Sequence, residues 1–200
     1  MKKTPNKISS DAADAELVRA YRAGEEEAFR ALVERHIGHL YAFVRRLVGS
    51  EVEAEDITQT SFVRAWRHLS NFDVSRSFKV WLFSIAKNAA LDFFKKKKPV
   101  LFSDFDINRE GFDPLDLIAD PAPLPDEVLS RANLATELTD VLNQLPPPVR
   151  IVLHLHYNDE LTFREIAEVL GEPLDTIKSR HRRGLLRLRE RLLPRQHQNQ

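Results

Sequence analysis

Cations and aromatic rings, rather than nucleophiles or metal ligands, are the groups in this chain whose types and spacing could do chemistry. Within residues 174–195, eight basic residues stand against two acidic ones. Lys178, Arg180, Arg182, Arg183, Arg187, Arg189 and Arg191 lie off an apolar stripe of Leu174, Ile177, His181, Leu185, Leu188 and Leu192. Guanidinium and ammonium groups clamp phosphates and read guanine edges, so a basic amphipathic helix suits a DNA groove. A second cluster lies upstream. Lys79, Phe83, Lys87, Leu91 and Phe94 interleave cations with apolar rings, and Lys95 to Lys98 follow. Aromatic faces stack on unpaired bases, worth about 1–3 kcal/mol per base, while lysines hold the phosphates.

The elements that must position these groups read as helices. Thr162 with Glu165 forms a capping box ahead of Ile166, Ala167 and Leu170, and Gly171 suits the left-handed residue that ends such a helix. Pro173 can open the next helix but not continue one. Two short helices across a tight turn, the second basic, form a helix-turn-helix. Upstream, apolar periodicity predicts helices over 15–23, 25–48, 53–69 and 77–97, the last stopped by Pro99. The first 13 residues are polar and read as frayed. Trp66, Phe72, Phe78 and Trp81 can be read as core residues of this four-helix unit, most strongly Trp66, with Trp81 open between core and DNA.

Residues 100–125 hold five of the prolines and glycines and most of the acidic excess, so they read as a linker. The apolar residues within it, Phe102, Phe105, Ile107 and Phe112 among them, suggest that it docks onto something. Extended, its residues span roughly 90 Å, enough to let two units sit two turns of DNA apart. Helices are expected again over 127–145 and 149–157.

The net charge of zero conceals this division. Residues 1–100 carry 18 basic and 13 acidic groups, residues 101–127 carry one and eight, and residues 128–200 carry 11 and nine. The chain has no cysteine, which excludes disulfides, thiolate metal sites and cysteine nucleophiles. No apolar run approaches a membrane span or a signal-peptide core, so no membrane insertion and a cytoplasmic location are expected. His36-Ile37-Gly38-His39 spells a signature of aminoacyl-tRNA synthetases, but the nucleotide-binding domain it requires is missing. His154 and His156 alternate wrongly for a shared helical metal face. No cofactor, no metal and no catalytic residue are expected.

Several runs together resemble the extracytoplasmic-function (ECF) group of the sigma-70 family of RNA polymerase sigma factors. They are Asp56-Ile57-Thr58-Gln59-Thr60-Ser61-Phe62-Val63-Arg64-Ala65-Trp66, Phe78 to Asn88, Leu145-Pro146, Leu161 to Ala167, and Thr176-Ile177-Lys178-Ser179-Arg180. The resemblance covers roughly residues 14–98 and 126–193. It implies an all-α chain of two small helical domains: region 2 over 14–98, a linker over 99–125, region 4 over 126–193, and flexible ends at 1–13 and 194–200. It implies that Asp56, Gln59, Thr60 and Val63 dock on core RNA polymerase. Asn71, Phe72 and Arg76 would sit in the loop that captures a flipped −10 base. Lys79, Ser84, Lys87 and Asn88 would contact the −10 strand. Thr176, Lys178, Ser179, Arg180, Arg182 and Arg183 would face the −35 element of promoter DNA. It also implies a partner anti-sigma factor.

Three positions depart from the family. Thr60 stands where Glu is usual, and Arg182 where an apolar or aromatic residue is common. Gly184 interrupts the recognition helix at a cost of about 1 kcal/mol against alanine; either DNA approaches its backbone closely or the helix is simply weakened. The rival reading is a stand-alone helix-turn-helix regulator with a helical sensing domain. Such a protein would not need the aromatic, lysine-rich helix or the Asp56–Val63 surface.

Overall fold

The computed structural model describes residues 5–97 and 141–192. Among them the regular structure is helical throughout. The elements are α1 (Pro5–Arg22), α2 (Glu26–Val48), α3 (Glu51–His68), a 3-10 turn (Leu69–Asn71), α4 (Phe78–Lys97), α5 (Pro147–Tyr157), α6 (Phe163–Leu170) and α7 (Leu174–Leu192). The linker and most of the helix expected over 127–145 lie outside the described residues.

Helix ends follow local chemistry. Gly49 takes the left-handed conformation that closes α2, its N–H bonded to the Arg45 carbonyl. Pro147 opens α5. The capping box before α6 is complete: Glu165 N–H donates to Thr162 Oγ1 at 3.3 Å, and Thr162 N–H donates to Glu165 Oε2 at 2.8 Å. Thr162→Ala is expected to lower stability by about 1 kcal/mol in denaturant melts, and Thr162→Ser to retain most of it.

Residues 5–13 belong to α1, and tertiary contacts hold that helix from Asp11 onward. Asp11 accepts a hydrogen bond from Ser77 Oγ at 2.9 Å. Asp14, almost wholly buried, accepts one from His36 Nε2 at 2.8 Å. His36 of the synthetase-like run is thus a satisfied interior histidine.

α1 to α4 pack around Leu32, Leu40, Phe43, Val44, Ile57, Phe62, Leu69, Leu82 and Phe83, all buried. Phe83 departs from its expected place on the DNA-facing side. Its ring stacks on Phe43 of α2, with centroids 4.9 Å apart. α4 is buried on more than one side, since α6 lies across it. Ile166, Val169 and Leu170 belong to the same buried cluster as the four-helix core. A smaller cluster of Leu145, Val149, Leu153, Leu185 and Leu188 joins α5 to α7.

Gly184 sits in that second cluster. A Cβ there would lie 2.8 Å from Leu153 Cδ1 and 3.1 Å from Val149 Cγ1. The glycine lets α7 lie close against α5, and its contact is with the protein's own helix.

Candidate nucleic-acid and polymerase interface

Three surfaces carry the candidate residues. The first is the outer side of α3. Ala54, Ile57, Thr58, Ser61, Phe62 and Ala65 face inward, and the buried hydroxyls of Thr58 and Ser61 donate to the carbonyls of Ala54 and Ile57, each at 2.6 Å. The intervening helical positions put Asp56, Gln59, Thr60 and Val63 outward, all exposed. Val52 (71% exposed) and Trp66 (52% exposed) extend the same face at its two ends. Trp66 was expected in the core. The core positions of this helix are instead taken by the smaller Ala65 and by Phe62. An exposed stripe that mixes the apolar Val52, Val63 and Trp66 with polar Asp56, Gln59 and Thr60 is suited to a protein partner.

The second surface is the loop before α4. Arg22 Nη2 donates to the carbonyls of Leu69 (3.2 Å) and Phe72, pinning the loop from α1. Asp73 accepts from the Ser75 N–H at 2.9 Å, and that bond holds its carboxyl below the usual carboxylate range. Asn71 and Arg76 are exposed, whereas Phe72 is buried. Its ring meets Trp81 at 4.7 Å and Phe78 at 5.7 Å. Trp81 is therefore half-buried in an aromatic cluster beneath the loop, neither fully core nor free.

The third surface is α7. Lys178 is exposed, 3.8 Å from Asp175. Thr176, Ser179 and Arg182 are half-buried. Arg180 and Arg183 are buried. Arg180, 1% exposed, pairs with Glu172 of the inter-helix turn at 2.6 Å. A guanidinium so placed ties the recognition helix to its turn and is not a surface group.

The C-terminal helices cover part of the second surface. Arg76 pairs with Glu168 of α6. Lys79 Nζ donates to the Asp159 carbonyl at 2.8 Å and lies 5.6 Å from the Phe83 ring centre. Lys87 Nζ lies 3.4 Å from where a Cβ on Gly171 would stand, beside the helix-turn-helix turn. Ser84 Oγ donates back to the Val80 carbonyl at 2.9 Å, and Asn88 is exposed. The acidic partners Asp159 and Glu168, and His39, which also meets Asp159, carried no sequence signal for these contacts. Their contacts cross 80 to 120 residues of chain.

His154 lies behind this junction. Burial, and after it the charge of Arg46, holds its imidazole below the usual histidine range, while a hydrogen bond to the Asn158 side chain opposes the shift. The folded form then binds fewer protons than the unfolded form below pH 6.5, the ordinary histidine value. This group's contribution is full above that pH and declines as pH falls below it. Arg46, Arg150 and Asp159 are the charges that act on it. Thermal melts of the wild type and His154→Gln should diverge below about pH 6.5, the variant losing less stability. Parallel curves would contradict this.

An all-helical chain with an exposed stripe on α3, an aromatic cluster beneath the loop before α4 and a basic helix-turn-helix has the parts of a promoter-recognition subunit. Residues 32–100 match the family described as Sigma-70 region 2, and residues 141–190 match Sigma-70, region 4. The chain is 34% identical over 176 residues to the ECF RNA polymerase sigma factor SigW of Bacillus subtilis, covering 88% of this chain and 94% of that one. It is similar in structure to CnrH, solved in complex with the cytosolic domain of CnrY, at 26% identity and a TM-score of 0.58 over 88% of this chain and 94% of that one. It also shares its fold with the sigma factor RpoE of Bartonella quintana, solved with the anti-sigma factor NepR, at 24% identity and a TM-score of 0.56 over 84% of this chain and 98% of that one. The chain belongs to the ECF sigma factors of the sigma-70 family. No described helix is long and apolar enough to cross a membrane.

Proposed function

We propose that this sigma factor docks on core RNA polymerase through Asp56, Gln59, Thr60 and Val63, with Val52 and Trp66 extending the contact. The observation that carries this is the continuous exposed stripe on α3, whose opposite side is fully committed to the core. Asn71 and Arg76 hold the −10 strand together with Lys79, Ser84, Lys87 and Asn88. Phe72 acts from beneath, setting the loop's shape against Trp81. Thr176, Lys178, Ser179 and Arg182 face the −35 element, while Arg180 and Arg183 position the helix that presents them. Region 2 spans 14–98 and region 4 spans 126–193.

The protein separates and reads DNA strands without catalysing a reaction itself. It works in the cytoplasm, where polymerase is, and an anti-sigma protein holds it in check, a reading supported by the structural neighbour RpoE, which was solved with the anti-sigma factor NepR. The stand-alone regulator does not account for the α3 stripe.

Added to purified core polymerase, the protein should direct run-off transcription from a subset of promoters. A chain that binds duplex DNA equally well with or without polymerase and never starts a transcript would defeat the reading. Lys178→Ala should weaken use of the −35 element by about 1–3 kcal/mol if it reads a base, with polymerase binding unchanged.

A further inference from the structure

Beyond these residues, three side chains converge on one carboxylate where the C-terminal helices meet the four-helix unit. Asp159, only 3% exposed, sits in the turn between α5 and α6. Its Oδ1 lies 2.9 Å from His39 Nδ1 and 3.7 Å from Lys79 Nζ, and its Oδ2 lies 3.8 Å from Arg46 Nη1. His39 and Arg46 come from α2, two turns apart on one side of that helix, and Lys79 from the start of α4.

We propose that His39, Arg46 and Lys79 form a phosphodiester site for the promoter strand, which Asp159 fills in the free chain. The proposal rests on the −10 assignment of α4 given above and adds α2 to that surface.

The fit of the carboxylate is poor. Arg46 Nη1 and Asp159 Oδ2 are both buried without a hydrogen bond, although they face each other. A planar carboxylate has two oxygens and one charge to offer three nitrogen groups. A tetrahedral phosphodiester is larger, and its oxygens point in more directions, so it can reach Arg46 without giving up Lys79. Burial also pushes the Arg46 guanidinium below its ordinary value, with Asp159 opposing. The cation thus sits where water screens it weakly and an anion gains most from it. Glu168 repeats the pattern nearby, its carboxylate resting on Arg76. The C-terminal unit thus sets an acid on each of two cations assigned to the −10 strand.

The test measures anisotropy of labelled single-stranded oligo(dT) with the full chain, because backbone contacts do not depend on sequence. Asp159→Asn should tighten binding about tenfold by removing a competing occupant. Arg46→Gln added to it should abolish most of that gain and lower the slope of log K against log salt by about 0.7, one single-strand phosphate contact. A folded Asp159→Asn chain with unchanged affinity would overturn the proposal, as would a gain and slope that survive Arg46→Gln. If Asp159→Asn does not fold, Arg46→Gln alone in holoenzyme supplies the same slope test on promoter DNA. Failure of the sigma reading shows separately, as wild-type holoenzyme that starts no transcript while oligo(dT) binding behaves as described.

Discussion

Arg180→Ala is expected to destabilise the protein by about 3–5 kcal/mol, because it leaves the Glu172 carboxylate buried without its partner. That is a large share of the roughly 5–15 kcal/mol that holds a typical domain together. Glu172 is nearly as enclosed as Arg180, their side chains being 7% and 1% exposed at a separation of 2.6 Å. Removing both partners should cost less than removing the arginine alone, since no uncompensated charge then remains. Urea melts of the two single variants and the double variant read the coupling directly. If Arg180→Ala melts like the wild type and loses only DNA affinity, the arginine is a DNA contact and the turn does not depend on it.

Gly184→Val is expected to cost about 3 kcal/mol through overpacking between α7 and α5. Alanine at this position gains about 1 kcal/mol of helix propensity. Its Cβ nevertheless arrives 2.8 Å from Leu153 Cδ1, with Leu153 Cγ and Val149 Cγ1 each at 3.1 Å. Leucine's end can move, so Gly184→Ala should fall near neutral or slightly destabilising. Valine adds two methyl groups in the same space and has no such escape. Far-ultraviolet circular dichroism melts separate the outcomes. A variant more stable than wild type would mean that the glycine serves a ligand and not the α5–α7 contact.

Most helix bounds were legible because apolar spacing and end signals agree: Gly49, Pro147, Thr162 with Glu165, and Gly171 all stand at ends. Asp56, Gln59, Thr60 and Val63 were singled out by the family resemblance and not by the spacing, and the structure places all four on the exposed side of α3. Side-chain fate was less so where a helix is enclosed by several neighbours. Phe83 lies beside lysines in the chain, yet Phe43 claims its ring. Trp66 is the largest apolar side chain of its helix, yet it lies outside, because aromatic size does not decide which side of a helix faces in. Arg180 and Lys178 are two residues apart in one basic run, and only the fold distinguishes a buried brace from an exposed cation. The acids that meet α2 and α4 could not be read at all, since nothing local marks Asp159 among the other carboxylates.

The chain has two tryptophans, and their placement gives it two separate optical reporters. Trp66 stands half in solvent on the face assigned to polymerase, while Trp81 lies within the aromatic cluster under the loop assigned to the −10 base. Replacing either by phenylalanine leaves a single emitter, one in the wet environment of α3 and one beside Phe72. The order in which polymerase arrives and a base is taken up then becomes a matter of which emission changes first, in a protein that carries no added label.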